Sequence, residues 1–502
     1  MRKPFIRTHG SILVWTVMTI AVLSLLAAEV IRLVSVKYQS ALQTATWQEA
    51  LLAAESGIDL GIVELRKSLF PAPNQGWDGW NNSTANSVVN HSLTTIVPGT
   101  SMTIEVNVDS VDPVAFVDSH NGWQYWRIRT VGTMPIAGSA TVTDNKQDNR
   151  LRKLSLRWER FTGGILTTRA FMAGEGAHVS RRVEAVVRPV SSFNQAILSV
   201  GTIDLTNQNI VVDSYDSSDL TKSTDPGLDG IVGTADDPTG AAARAPGRYD
   251  VTKRQENGDI ATDGNLIEAG NAHIYGDVAT NSGTVSGAAN VTGTERDDFY
   301  QEPIPIGAPT WASFNSSVTN VTGTTTITGN STSGTSASRY QLSSINLSGS
   351  KTLTLAGNAD GSPSYVEIYV TGDISFSGTS QLIVKPGVNV KIYFQGNVDV
   401  GGNGILNSNN QPSDLQLFGI QPLNDTPRHV NLGGNGQIVA AVYAPDHDVT
   451  INGGGSNGHV FGSVVGSTVT MTGVTNLHYD EKLSTLGMIN SYKIVSWFEE
   501  SR

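Results

Sequence analysis

The sequence predicts a mainly β protein: one long N-terminal helix, an antiparallel sheet region packed on it, and a parallel β-helix (β-solenoid) beyond. Three observations predict this fold. Ser11 to Ala28 is an uncharged apolar run, and a helical apolar stripe continues from it to Leu69. Past residue 70, short runs of period-two alternation are separated by turn residues. From about residue 191 bursts of Val, Ile, Leu and Phe are spaced by Gly and Asn, and between Glu302 and Lys351 charge nearly vanishes.

Composition agrees with this class. The chain has 502 residues, 39% apolar and only 16% charged, with 52 glycines. Its length allows roughly two to four domains, and the glycine content suits a turn-rich β protein. The net charge of −12 argues against nucleic acid as a partner, because phosphate binding needs clustered Lys and Arg. The absence of cysteine excludes disulfides, thiolate metal sites and cysteine nucleophiles.

Residues 1–10 are a basic leader carrying Arg2, Lys3 and Arg7. Residues 11–28 follow as the transmembrane segment, and Glu29 is the next charge. A helix of that length rises about 27 Å, close to the thickness of a bilayer core. Basic residues stay on the cytoplasmic side, which puts the bulk of the chain on the far side. The run alone leaves three readings open. It fits poorly to a cleaved signal peptide, since Leu26-Ala27-Ala28 is not a small-x-small site. A plain single-span anchor and the embedded part of a longer working helix are the other two.

Residues 29–70 continue as an amphipathic helix. Trp47, Leu51, Ala54, Ile58, Ile62, Leu65 and Leu69 fall on one stripe, with Gln48, Glu55, Asp59, Glu64, Arg66 and Lys67 off it. No proline lies between Pro4 and Pro71, so one helix of roughly 87 Å is expected over about residues 12 to 69.

The basic leader, Gly10 before Ser11-Ile12-Leu13-Val14, and the long half-buried helix together resemble a type IV pilin or pseudopilin N-terminus. Ala53-Ala54-Glu55-Ser56-Gly57-Ile58 is similar to the AAEAG-type segment of PilX-like and general-secretion K-like minor members. Main-class pilins carry glutamate where this chain has Trp15, which places the resemblance with the minor members. The resemblance implies a prepilin peptidase acting between Gly10 and Ser11. It implies a single pass through a bacterial inner membrane, N-terminus cytoplasmic and bulk periplasmic or extracellular. The implied partners are other pilins or pseudopilins.

Residues 71–190 are expected to form a pilin-like antiparallel sheet covering the helix stripe. Met102-Ile104-Val106-Val108, Tyr125-Arg127-Arg129-Val131 and Leu154-Leu156-Trp158 alternate as half-buried strands do. Trp123, Trp126 and Trp158 read as core filling more readily than as a carbohydrate platform. Arg181 to Pro189 reads as a strand with charged flanks.

Residues 191–485 are assigned to the β-solenoid, with an Asp/Gly-rich insertion near 213–262. Within the insertion, Asp225, Asp229, Asp236 and Asp237 recur among glycines. Calcium wants six to eight hard oxygens on a sharply turning chain, so calcium is the one cofactor this pattern suggests. The same residues also serve plain turn chemistry, and the spacing is not that of an EF-hand. Between Glu302 and Lys351 the sole charge is Arg339, and Thr319 to Ser338 could equally be low-complexity coil. The apolar bursts, such as Val388-Val390-Ile392-Phe394, favour stacked short strands, with a β-sandwich as the other arrangement. Val442 to Asp480 resembles a C-terminal β-helical module that accompanies PilX-like N-termini. Residues 486–502 add a strand, Tyr492 to Phe498, expected to finish a sheet.

No catalytic residues are assigned. The best cluster in the solenoid is Asp446-His447-Asp448 with His459, read as an exposed turn whose two carboxylates do not converge with the imidazole. Glycoside cleavage needs paired carboxylates, and no nucleophile-elbow, zinc-protease or P-loop motif occurs. The expectation is a non-enzymatic, membrane-anchored minor pilin-like protein displaying a head that assembles or binds a surface glycan or protein. An anchored carbohydrate-active enzyme and a passive envelope protein are the competing readings.

Overall fold

The computed structural model describes residues 9–500 except 71–75, 86–87, 98–101, 112–122, 136–177, 207–209, 225–246, 288–289, 302, 312, 316–319, 361, 423–426, 435–436, 454–457 and 474. The chain is mainly β, with one long apolar N-terminal helix and extensive parallel pairing.

Helix α1 runs from His9 to Lys67 without a break. Arg66 and Lys67 occupy its last turn, where positive charge complements the helix dipole. Its first half is bare: Val14, Trp15, Leu25, Ile31 and Tyr38 are all more than half exposed. The most apolar 18-residue window has a mean hydropathy of 2.2 and is 0% buried. The helix is long and apolar enough there to cross a membrane.

The second half of α1 packs on a six-stranded antiparallel sheet. Its strands are β1 (Asn81–Ala85), β2 (Val88–Ile96), β3 (Thr103–Val111), β4 (Tyr125–Pro135) and β5 (His178–Ser191), in that order, followed by the strand Ile489–Glu500. The helix-facing layer is Ile104, Val106 and Val108 on β3, Ile128 and Thr130 on β4, and Val183, Ala185 and Val187 on β5. On β4 the alternating set Tyr125, Arg127, Arg129 and Val131 lies on the opposite face from Ile128 and Thr130, as strand geometry requires.

The buried seam of α1 is built of small residues more than of the large ones in its stripe. Ala50, Ala53, Ala54, Gly57 and Gly61 line it, with Ile58 and Leu65. A Cβ added at Gly132 of β4 would lie 2.1 Å from the Ala50 carbonyl oxygen, so helix and sheet touch backbone to backbone there. The Thr130 hydroxyl donates to the Ala54 carbonyl at 2.7 Å across the same contact. Two stripe assignments are corrected. Trp47 is 40% exposed, because its ring lies flat under the Arg181 guanidinium instead of entering the core. Glu64 is buried, because its carboxylate accepts from the Trp77 N–H at 2.8 Å and pairs with Lys67.

Between β5 and Ile489–Glu500 the chain builds a body of parallel ladders. It starts in the middle of the stack at Ile197–Ser199, pairs onward to Ile260–Thr262, and continues to Glu295–Arg296. The described residues between Asp297 and Asn315 then run back across the later ladders. Ile304 receives a hydrogen bond from the Tyr443 hydroxyl, Ile306 bridges to Ile420, and Trp311 sits edge-on to Tyr369 and Tyr393. From Asn320 the ladders grow again toward the starting point, and Val464 finally pairs with Ile197. The last-made strands thus close on the first-made ones.

Side chains repeat in register along this body. One buried column is Ile368, Ile392, Leu417, Val442, Val464, Ile197, Ile260 and Val278. The step between paired strands is uneven: Ser338 meets Val366, Ser364 meets Val388, and Ile438 meets Val460. No fixed repeat length is therefore legible in the sequence. The Thr/Ser/Asn stretch holds strands at Asn320–Val321 and Thr325–Thr328, with Ile327 in the core, which removes the low-complexity alternative over those residues.

Candidate functional site

Parallel pairing puts equivalent residues of neighbouring strands side by side on one face. Where the last strands meet the first, this produces an outward row of Val439, Phe461, His478 and Asp213. Their neighbours in sequence, Val460, Leu477 and Val212, point inward and are buried. The segment 247–254 brings Tyr249 over the row, and the result is a groove of about 400 Å³.

The polar groups of the groove form a chain. Asp213 has no exposure, and its carboxylate accepts from His478 Nδ1 at 2.5 Å and from the Tyr249 hydroxyl at 2.7 Å. His478 Nε2 is 2.9 Å from His459 Nδ1. With Asp213 holding the Nδ1 proton of His478, the neutral pair requires His459 to donate from Nδ1 and present Nε2 as an acceptor. Rings layer around this chain: Tyr249 stacks on His478 at 3.8 Å, and Phe461 lies 5.1 Å from His478. At the rim Arg254 is held over the Tyr275 ring at 3.6 Å. Such stacking fixes a guanidinium while leaving its edge available for hydrogen bonds.

Next to this row, Asp480 is fully buried, accepting from the backbone N–H groups of Ser217 at 3.0 Å and Lys482 at 3.2 Å. Burial pushes its carboxyl up to about 6, against the pull of those donors.

The residues singled out in the sequence fare differently. Gly10 and Ser11 lie in the first turns of α1, and nothing is described of their side chains. Asp225, Asp229, Asp236 and Asp237 fall outside the described residues, as do Trp158 and the Leu154–Trp158 run. The flanking carboxylates that are described serve turns. Asp216 accepts from Ser218, Asp219 from Thr221 and Asp250 from Thr252, each through backbone N–H and hydroxyl together. Among the described residues, no three His, Cys, Asp or Glu side chains gather as a metal site would need.

Asp446-His447-Asp448 is not an exposed turn. It lies within the strand Ile438–Gly453, and His447 is fully buried against Phe394. Burial first, and then the Arg428 charge, push the His447 imidazole down to about 4. His459 does not join it; it joins His478 and Asp213. The signal for that grouping was present as three short alternations, Asp213-x-Tyr215, His459-x-Phe461 and His478-x-Asp480. Each places its two residues on one face, but only the topology brings the faces together.

A family model described as a domain of unknown function (DUF7305) matches residues 311–486. The matched stretch contains His459, Phe461 and His478 and does not reach Asp213 or Tyr249. No curated protein and no solved structure matches the chain.

Proposed function

We propose that this is a membrane-anchored, non-enzymatic minor pilin-like or pseudopilin-like protein, whose parallel ladders form a β-helix displayed outside the inner membrane. The observation that carries this reading is the division of α1. From Val14 to Ala28 it is uncharged and exposed, while its second half is a small-residue seam closed on an antiparallel sheet. That arrangement suits a helix shared between a bilayer, or a bundle of like helices, and a rigid folded cap. The in-register apolar columns support the β-helix, since stacked turns bury one continuous core. The groove supports a binding rather than a catalytic head. Among the described residues Asp213 is the only carboxylate in its lining, and His478 and Tyr249 already engage it. The head then contributes to assembly of the machinery or to attachment at a surface.

The test is N-terminal sequencing of protein extracted from membranes by detergent but not by alkaline carbonate. A mature chain starting at Ser11 is expected. A chain starting at Met1, or one released by carbonate, sinks the pilin-type reading.

A further inference from the structure

We propose that the groove at the junction of the first and last strands binds an acidic saccharide. The proposal rests on the reading that the β-rich part is displayed outside the membrane.

Three features define the ligand. Phe461, His478 and Tyr249 form a layered ring wall, which suits the C–H faces of a sugar ring. Asn410, Gln437 and Asn476 line the same groove; Asn410 Nδ2 donates to the Ser408 carbonyl and Asn476 Oδ1 accepts from the Val211 N–H, so Asn410 Oδ1, Asn476 Nδ2 and the Gln437 amide are the atoms to meet a sugar's hydroxyls. The charge is what makes the saccharide acidic. The chain as a whole carries −12, yet among the described residues this lining has Arg248 and Arg254 against a single carboxylate. That carboxylate, Asp213, has no exposure and accepts from His478 and Tyr249, so it is set back from the surface where the two guanidinium groups lie. Arg254, already laid on the Tyr275 ring, presents a planar fork that matches a carboxylate bidentately. A volume of about 400 Å³ is in the range of small-ligand sites.

The site is also composite. Asp213 and Tyr249 come from the early part of the inserted body, and His459, Phe461 and His478 from its end. It exists only when the two ends of the body have closed on each other.

The experiment uses the full chain in detergent, titrated calorimetrically with a galacturonate oligosaccharide and with a neutral maltooligosaccharide of equal length. Acidic binding at least roughly tenfold tighter than neutral is expected, weakened about tenfold by Arg254→Gln. Arg254 is exposed, so the variant should keep the parental melting temperature. If its melting temperature drops, Gln437→Ala, at a second exposed lining position, decides instead: it should weaken the galacturonate several-fold, and unchanged binding overturns the proposal. The proposal is overturned if the galacturonate does not bind, if the neutral sugar binds equally, or if a folded Arg254→Gln protein binds unchanged. Because processing and carbonate resistance are measured on the same preparation, a failed titration with a Ser11 start overturns the groove proposal alone. Release by carbonate overturns the membrane-anchored display reading beneath it.

Discussion

Ile489 sits directly opposite Ser191 in the antiparallel sheet, at the points where the chain returns to the sheet and where it left. The Ser191 hydroxyl also donates to the Leu483 carbonyl at 2.9 Å. The whole parallel body is therefore an insertion between two adjacent strands, and its ends are tied where it joins. Folding of the sheet does not depend on the inserted body for strand order: β5 already pairs with β4, and Ile489–Glu500 adds to its free edge.

This arrangement predicts a clean excision. Replacing residues 192–488 by Asn-Gly should let β5 and the final strand close as a hairpin, since a two-residue turn spans adjacent antiparallel ends. The expected product is a membrane-extracted helix and sheet that resists limited proteolysis. Rapid degradation of that product, with the parent intact under the same conditions, would show that the sheet needs the inserted body to fold.

The contact between α1 and the sheet predicts an unusually sensitive glycine. Gly132→Ala places a methyl 2.1 Å from the Ala50 carbonyl oxygen and 2.6 Å from the Ala54 nitrogen, and backbone cannot yield as a side-chain tip does. A loss of roughly 1–3 kcal/mol in urea unfolding of the detergent-solubilised protein is expected. Gly323→Ala is the control, because a Cβ there meets nothing within 4 Å. Equal effects of the two would mean that α1 does not lie on β4 at this point.

How much of this was legible beforehand follows from the range of each interaction. The helix was legible because its signals are local: no proline, apolar spacing of three and four, and an uncharged run. The seam was less so. Large residues such as Trp47 dominate a hydrophobicity pattern, whereas close approach is made by Ala50, Gly57 and Gly61, which score weakly. Short strands such as Val388–Phe394 were visible through period two. Their order in space was not, because the pairing of Val464 with Ile197 leaves no local trace. The groove was illegible for the same reason. His459 was noticed and given the wrong neighbours, since Asp446 and His447 are nearer to it in sequence than His478 is to Asp213. The glycan or protein ligand expected from the sequence had no residues attached to it, and the groove proposed for an acidic saccharide is visible only once that topology is known.

Two buried titratable groups predict how stability responds to acid. His447 is pushed down to about 4 from the usual 6.5, so between those values the unfolded chain binds more protons than the native one. Its contribution is fully present above pH 6.5 and is lost as the pH falls toward 4, on the order of 3 kcal/mol in all. Asp480 runs the other way. Its carboxyl is raised from 3.8 to about 6, so the native state binds more protons in that window, and stability is lost as the pH rises through it. Over pH 4–6 the two nearly cancel, and the parent should show a shallow dependence there. Removing either group exposes the other. Asp480→Asn should keep the Ser217 and Lys482 hydrogen bonds through its amide oxygen and leave His447 acting alone, giving a steep loss on acidification. His447→Leu should instead be most stable near pH 4 and weaken toward pH 6. Urea midpoints measured every half unit from pH 4 to 7 decide the matter. If both variants track the parent in parallel, neither group titrates in the folded protein over this range, and its acid response comes from groups elsewhere.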